Sequence, residues 1–193
     1  LLNLDSGERE PLSVAWSQPE AVRGDVTCPA PDSAAFSPHG IDLTRLADGT
    51  LQLLAVNHGK RESVEFFEVT QSDESWQLAW QGCATPPGDP FINDVAALKD
   101  GGFLVTHMWD KTTAFDEVAR KLFAGETTGW VYEWQREQGF KKVLESDDLM
   151  PNGIAVNAEN TKIFVNIYFA NKTIKIDRDS GEREGEFAVQ QPD

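Results

Sequence analysis

The chain has 193 residues, of which 40% are hydrophobic and 25% are charged, a balance typical of a globular domain rather than a disordered segment. Its formal net charge of −15 gives an acidic surface that repels nucleic acid and anionic membranes, so we expect neither as a partner. No apolar stretch of the sequence approaches the roughly 20 residues that a membrane-spanning helix needs, so we also expect no transmembrane segment.

Three short stretches recur along the chain, and each is a bend that carries polar side chains and then enters an apolar strand. They read FSPHGID at 36–42, FINDVA at 91–96 and MPNGIA at 150–155. Aligning Gly40, Asp94 and Gly153 gives steps of 54 and 59 residues. A recurrence of this size is typical of a repeated supersecondary unit.

Each bend opens a unit of four short strands separated by turn residues. We predict strands at 40–43, 51–57, 64–69 and 76–81 in the first unit, at 93–98, 103–107, 129–134 and 140–145 in the second, and at 153–156, 162–168, 173–178 and 186–190 in the third. Four-stranded units that repeat at about 50 residues predict an all-β fold, a β-propeller, with just under four blades in this chain. A stacked β-sandwich is the alternative, and the long-range repeat argues against it. We expect residues 1–193 to form one propeller domain.

One insertion interrupts the pattern of strands. Between 112 and 125, apolar residues fall at i, i+3, i+4, i+7 and i+8, which is the stripe of an amphipathic helix. Gly125 suits the C-terminal end of this helix, since glycine readily adopts the left-handed conformation found there. We expect the helix to lie between the second and third strands of its blade, where it either covers a pocket or packs on the body of the domain. The apolar positions are Phe115, Val118, Ala119, Leu122 and Phe123.

The two cysteines lie at matching places in the repeat. Cys28 is 11 residues before His39, and Cys83 is 10 residues before Asn93. Matching positions on neighbouring repeats can lie close enough to form a disulfide, which would indicate an oxidising compartment, secreted or periplasmic. Two separate buried thiols are the alternative, and the spacing does not decide between them.

Polar side chains on the three bends are candidates for a shared site. In a propeller the innermost strand of each blade lines the central channel, so these bends would present His39, Asn93, Asp94 and Asn152 at its mouth. Amide and carboxylate oxygens suit a hard cation such as Ca²⁺, whereas three histidines without zinc-type spacing make zinc a poor fit. Each Asn or Asp taken singly is more often a turn residue that bonds its own backbone. The matching positions in three units favour a metal site.

A pair of histidines is a second candidate feature. His58 ends the strand that returns after the first hairpin, so it would lie beside His39, and such a pair can pass a proton near neutral pH. We expect His107, at the matching place in the second unit, to be a structural residue satisfied by backbone groups. The sequence contains no Gly-x-Ser-x-Gly nucleophile elbow, phosphate-binding loop or dinucleotide fingerprint.

These motifs resemble those of the paraoxonase/arylesterase family. The matching residues are FSPHGI at 36–41, LLAVNH at 53–58 and VEFF at 64–67, followed in the same order by NDV at 93–95 and NGI at 152–154. The resemblance covers about positions 36–178, and the HGI and VNH pair is its fairly specific part. The wider relatives are the gluconolactonase/senescence-marker and strictosidine synthase-like propellers.

The resemblance implies a six-bladed propeller, with two calcium ions in the channel, that hydrolyses lactones and aryl esters. By the same resemblance, Asn93 and Asn152 would bind the catalytic calcium. Asp94 and the backbone carbonyl of Ile41 would bind the structural calcium. The helix at 112–125 lies where the family has an insertion beside the active site.

The resemblance also implies a proton-transfer pair. His39 and His58 would form the pair that activates water. This sequence differs from the family's pattern in two places. The family's acidic pair near its N-terminus has no counterpart in this sequence. Its later Asp-Asn pair would fall at the end of the chain, where Asp193 would be the Asp and a metal ligand. We therefore expect the 193 residues to be part of a longer chain that supplies the other blades.

The leading hypothesis is a calcium-dependent hydrolase whose substrates are small-molecule lactones or aryl esters. Two alternatives stay open. One is a gluconolactonase-like sugar lactonase that uses the same metal. The other is a non-catalytic propeller that binds a protein or sugar partner, since propellers host many functions. The sequence leaves the oligomeric state open.

Overall fold

The strands of this chain form three sheets in a computed structural model that describes residues 1–72 and 75–193. The first sheet contains β2 (Pro38–Arg45), β3 (Leu51–Asn57), β4 (Ser63–Ser72) and β5 (Ser75–Ala84), with the short β1 (Ser13–Ala15) added in parallel beside β5. The second contains β6 (Pro90–Ala97), β7 (Phe103–Asp110), β8 (Trp130–Gln135) and β9 (Gly139–Lys142). The third contains β10 (Pro151–Val156), β11 (Lys162–Ile167), β12 (Lys172–Asp177) and β13 (Arg183–Ala188).

The prediction of an all-β propeller is confirmed by this topology. From β2 onward, each sheet is an antiparallel meander whose strands are neighbours in sequence order, which is the connectivity of a propeller blade. The first strands pack together across blades, because β6 contacts both β2 and β10. The sequence predicts just under four blades, whereas the described residues form three. The difference arises because residues 1–37 contribute only β1 and loops.

The hairpin that joins the first two strands turns in the same way in every blade. One residue of each turn adopts a positive φ: Gly49 at 89°, Gly101 at 90° and Asn160 at 57°. Glycine and asparagine are the residues that enter this left-handed region most readily. The recurrence in backbone conformation matches the recurrence in sequence.

Two hydrophobic clusters fill the spaces between neighbouring blades. Between the first and second blades, Phe66, Phe103 and Trp134 meet with ring centroids 5.3 to 5.8 Å apart. Between the second and third, the cluster consists mainly of branched aliphatic side chains, which pack well on a pleated sheet. Each side chain buried in this way contributes about 1.5–3 kcal/mol, so the packing holds the first strands of the blades in place. The aliphatic cluster includes Leu98, Leu104, Val131, Ile163, Val165, Ile167, Ile174 and Ile176.

The segment before β2 packs on the opposite face of the first blade. Its rings Trp16 and Phe36 meet Phe67 of β4 edge to face, at centroid distances of 5.6 and 5.9 Å. Cys28 of this segment is bonded to Cys83 of β5, with their Cα atoms 5.6 Å apart. Of the two alternatives left by the sequence, the structure therefore has the disulfide.

The predicted insertion is the helix α1 (Phe115–Ala124), which lies between β7 and β8 as expected. Gly125 ends it in the left-handed conformation, with φ at 72°. Only Val118 and Leu122 of its apolar stripe are buried, whereas Phe115 and Phe123 are 75% and 82% exposed. Two of the five predicted positions of the stripe are therefore buried. Within the described residues, the structure contains no helix with the length and apolar character needed to span a bilayer.

Candidate functional site

The three recurring bends coincide with three irregularities in strand pairing. In the first blade the register between β2 and β3 shifts between Pro38 and Ile41. Equivalent shifts occur between Ile92 and Val95 of β6 and between Pro151 and Ile154 of β10. Such bulges turn side chains out of the regular alternation. The residues inside them are His39 and Gly40, Asn93 and Asp94, and Asn152 and Gly153.

These bulges open onto one shared cleft of about 420 Å³. His39 is exposed there, and its Nε2 lies 3.2 Å from Nδ2 of Asn93, which is buried. Nδ2 of Asn152 donates a hydrogen bond of 2.8 Å to Oδ1 of Asp193. The structure thus brings together side chains from all three blades. The cleft is lined by Pro38, His39, Gly40, Asn93, Asp94, Gly153 and Asp193.

Asp94, which lines this cleft, connects the second blade to the third. Its carboxylate accepts hydrogen bonds from the backbone N–H groups of Val95 and Ile154, both at 2.9 Å. Burial raises the pKa of Asp94 despite these two bonds, and the nearby charge of Asp42 raises it further. A cation beside this carboxylate would offset both effects.

The predicted partner of Asp94, the carbonyl of Ile41, belongs to the neighbouring strand β2. Ile41 directly follows Gly40, whose backbone lies against Asp94 so closely that a Cβ at residue 40 would be 2.4 Å from Oδ1 of Asp94. The first strands of the two blades therefore approach each other without an intervening side chain. This places the backbone around Ile41 next to the Asp94 carboxylate.

Asn152 carries the clearest sign of an absent partner. It is 5% exposed, and its Oδ1 is buried without a hydrogen-bond partner among the residues that the structure describes. Because its Nδ2 is committed to Asp193, the free atom of the amide is the oxygen. A buried polar atom of this kind normally has a partner, which can be a bound ion.

The donor set of the cleft fits a hard cation. Asn93, Asn152, Asp94 and Asp193 offer amide and carboxylate oxygens, the ligands that Ca²⁺ prefers. In the described ranges, 1–72 and 75–193, no three His, Cys, Asp or Glu side chains group as a metal site. A site here would therefore depend on amide and backbone oxygens, as calcium sites commonly do.

The two predicted histidines lie side by side at the edge of the cleft. The ring centroids of His39 and His58 are 5.1 Å apart. The ring of His58 also stacks on Phe91 at 4.9 Å, and Phe91 stacks on Trp109 at 4.9 Å. Nδ1 of His58 lies 2.8 Å from a carboxylate oxygen of Glu62.

His107 does not line the cleft, and its ring is buried within the second blade. The ring is 1% exposed, packed 4.1 Å from Trp130, and neither ring nitrogen forms a hydrogen bond with any described residue. Oδ1 of Asp110 lies 3.3 Å from Nε2 without the alignment of a hydrogen bond. That backbone groups satisfy this ring stays a prediction, and the backbone of Trp109 is a group near enough to raise the pKa of the ring. Burial lowers the pKa of His107, although the charge of Asp110 opposes the shift.

Sequence reasoning missed two residues that support the site. The hydroxyl of Thr106 accepts the N–H of Asp94 at 3.0 Å and donates to the carbonyl of Asn152 at 2.7 Å, so it bridges two blades. Glu62 contacts His58 but lies outside every recurring bend. Thr106 stands directly before His107 in an apolar strand, and nothing in the pattern distinguishes it from an ordinary strand residue.

Comparison with known proteins gives one family and several solved structures. The model of the arylesterase family matches residues 13–182. A comparison with curated protein sequences yields no match. The structure resembles one in a nidogen/laminin complex (11% identity, TM-score 0.47, 81% of this chain and 49% of the other). It also resembles a protein of unknown function from Bacteroides caccae, with 15% identity and a TM-score of 0.46 over 82% of this chain and 48% of the other. A luciferin-regenerating enzyme is similar as well, with 17% identity and a TM-score of 0.41 over 75% of this chain and 45% of the other. The chain thus spans about half the length of these structures.

Proposed function

The chain belongs to the arylesterase family, and from that premise we propose that it hydrolyses lactones or aryl esters in a calcium-dependent reaction. The observation that carries the proposal is the buried, unpartnered Oδ1 of Asn152, whose amide is hydrogen-bonded to Asp193 in the wall of the cleft that His39 and Asn93 also line. The Asn152 amide would supply an oxygen ligand, and His39 would supply an imidazole close to it.

The proposed metal ligands are oxygens of three bulge residues together with those of Ile41 and Asp193. Asn93, Asn152 and Asp193 would hold the calcium nearest the substrate, and Asp94 with the carbonyl of Ile41 would hold a second one. Bound calcium would polarise the ester carbonyl and stabilise the negative charge that develops on its oxygen. The raised pKa of Asp94 supports the second site, because a buried carboxylate gains most from a cation.

The histidine pair would move the protons of the reaction. His39, which lines the cleft, would accept a proton from water as the water oxygen forms a bond with the carbonyl carbon. The adjacent imidazole of His58 would help to stabilise the positive charge that His39 acquires when it is protonated. The proton then passes to the departing alkoxide as the carbon–oxygen ester bond breaks, which yields a carboxylic acid and an alcohol. In a lactone both groups remain on one molecule.

The proposal is tested by hydrolysis assays on the full-length protein. Phenyl acetate, aliphatic lactones and sugar lactones are compared in calcium and in a chelator. We expect hydrolysis that disappears in the chelator and returns when calcium is restored. Equal rates in both conditions, or no hydrolysis in excess calcium, would refute the proposal. Preference for sugar lactones would instead indicate a gluconolactonase-like enzyme.

Two variants separate metal binding from proton transfer. His39→Gln should lose hydrolysis but keep the rise in Tm that calcium gives, because it removes the base and leaves the proposed ligands intact. Asn152→Ala should lose both, since it removes the free oxygen. Retained hydrolysis in His39→Gln would exclude the histidine as base and favour a different role for the cleft.

A further inference from the structure

Glu62 is a buried carboxylate next to the cleft that the proposed reaction leaves without a role. The residue is 7% exposed and receives three hydrogen-bond donors. Nδ1 of His58 lies at 2.8 Å, Nζ of Lys111 at 2.7 Å and the backbone N–H of Ile92 at 3.3 Å. These donors come from the loop after β3, the end of β7 and the start of β6, so Glu62 joins three segments that surround the histidine pair.

The surroundings of Glu62 keep it ionised. Burial raises its pKa, but the hydrogen bonds and charges of His58 and Lys111 together bring it below the ordinary value. Near neutral pH both of its oxygens are therefore acceptors. The oxygen that faces His58 also accepts the N–H of Ile92, and the other accepts Lys111.

An ionised acceptor at this place decides which nitrogen of His58 carries the proton. Because Glu62 has no proton to give, Nδ1 of His58 must donate, and the neutral ring then has an unprotonated Nε2. That Nε2 is buried and has no hydrogen-bond partner within the described ranges. Stacking on Phe91, with 15° between the ring planes, fixes the ring's tilt. The hydrogen bond and the stack together hold His58 in one orientation beside His39.

We propose that Glu62 is a positioning residue that fixes the tautomer and orientation of His58 and so completes a Glu62–His58–His39 series. Lys111 holds the carboxylate from its far side. This inference rests on the proposed hydrolase function. The inference adds to that function a residue outside the cleft, Glu62, which acts through His58 and does not touch the substrate.

Kinetics of Glu62 variants test this role. Glu62→Gln should lower kcat roughly 10- to 100-fold with little change in KM, as expected for a residue that orients a catalytic group. Glu62→Asp, which restores the charge, should recover part of the loss. The matched control is Glu65→Gln, because Glu65, like Glu62, is a buried carboxylate paired with a basic side chain, in its case Arg61. Its other oxygen accepts Nε1–H of Trp80, where the corresponding group of Glu62 contacts His58. A kcat of Glu62→Gln within about twofold of wild type, or an equal loss in Glu65→Gln, would overturn the proposal.

The tautomer itself can be observed without any substrate. ¹⁵N NMR of the imidazole nitrogens above neutral pH, assigned with His58→Asn, should show His58 protonated at Nδ1 and not at Nε2. In Glu62→Leu the fixed Nδ1–H signal should be lost, because no acceptor remains. Protonation at Nε2 in the wild-type protein, or an unchanged signal in Glu62→Leu, would overturn the inference. If the wild type hydrolyses no ester, the proposed function fails, and these spectra still decide the placement of His58.

Discussion

Gly40 is where the close approach of two blades can be tested most directly. A Cβ on residue 40 would lie 2.4 Å from Oδ1 of Asp94, 2.6 Å from its Cα and 2.7 Å from the carbonyl oxygen of Asn93. Two of these three atoms belong to the backbone of β6, so they cannot rotate away. Gly40→Ala must therefore push β2 and β6 apart.

The size of the effect follows from these distances. The strands must separate by about 1 Å to restore ordinary van der Waals contact. Overpacking of this kind costs about 1–3 kcal/mol, which lowers Tm by roughly 2–4 °C per kcal/mol in a chain of this length. The same movement carries His39 away from Asn93, and a misplacement near 1 Å can lower the rate about 100-fold.

Urea unfolding and phenyl acetate hydrolysis measure the two effects. Gly185→Ala in β13 is the matched control, because its Cβ would meet only Cζ of Phe187, at 3.9 Å. We expect that control to stay within about 0.5 kcal/mol of wild type. If Gly40→Ala unfolds at the same urea concentration as Gly185→Ala and hydrolyses as fast as wild type, the blades do not meet as described.

Three other perturbations test the cross-blade bridge, the acid response and the disulfide. Thr106→Val should cost about 1–3 kcal/mol by urea unfolding, since it leaves the Asp94 N–H unpaired, whereas Thr106→Ser should keep most of the stability. Because burial lowers the pKa of His107, the folded state binds fewer protons than the unfolded chain, so stability should fall as the pH drops below about 6.5. Urea titrations across this range should show a flatter decline for His107→Asn, and an equally steep one would contradict the assignment. Replacing Cys28 and Cys83 by Ser should cost about 4 kcal/mol of loop entropy for a separation of 55 residues, and a much smaller loss would mean that the unfolded chain is already compact there.

The fold could be predicted from the sequence because each blade repeats the same local chemistry. Alternating apolar residues define the strands, and the turn residues Gly49, Gly101 and Asn160 recur at equivalent places with the same backbone conformation. The number of blades could not be predicted from length alone. The segment before β2 is as long as most of a blade, but apart from the short β1 it is a Pro-rich and Asp-rich loop that packs over the first sheet and forms no blade within the described residues.

The site was predictable as far as it depends on the repeat. His39, Asn93 and Asn152 stand at equivalent positions, so an axis that relates the blades brings His39 and Asn93 to one cleft and Asn152 against Asp193 in its wall. The bulges that aim these side chains were not predictable, because a register shift depends on how the second strand pairs with the first. The same is true of Thr106, whose two partners lie on different blades.

Glu62 shows why residues that support a site without lining it cannot be predicted from the sequence pattern. Its donors are 4, 30 and 49 positions away in the chain. Even the nearest contact needs a specific turn, in which Lys60 adopts a φ of 64° and returns the chain toward His58. The other two exist only once β6 and β7 are packed against the first blade. Glu62 therefore acquires its contacts from the way neighbouring blades pack together, and the strand pattern of a single blade does not contain that packing.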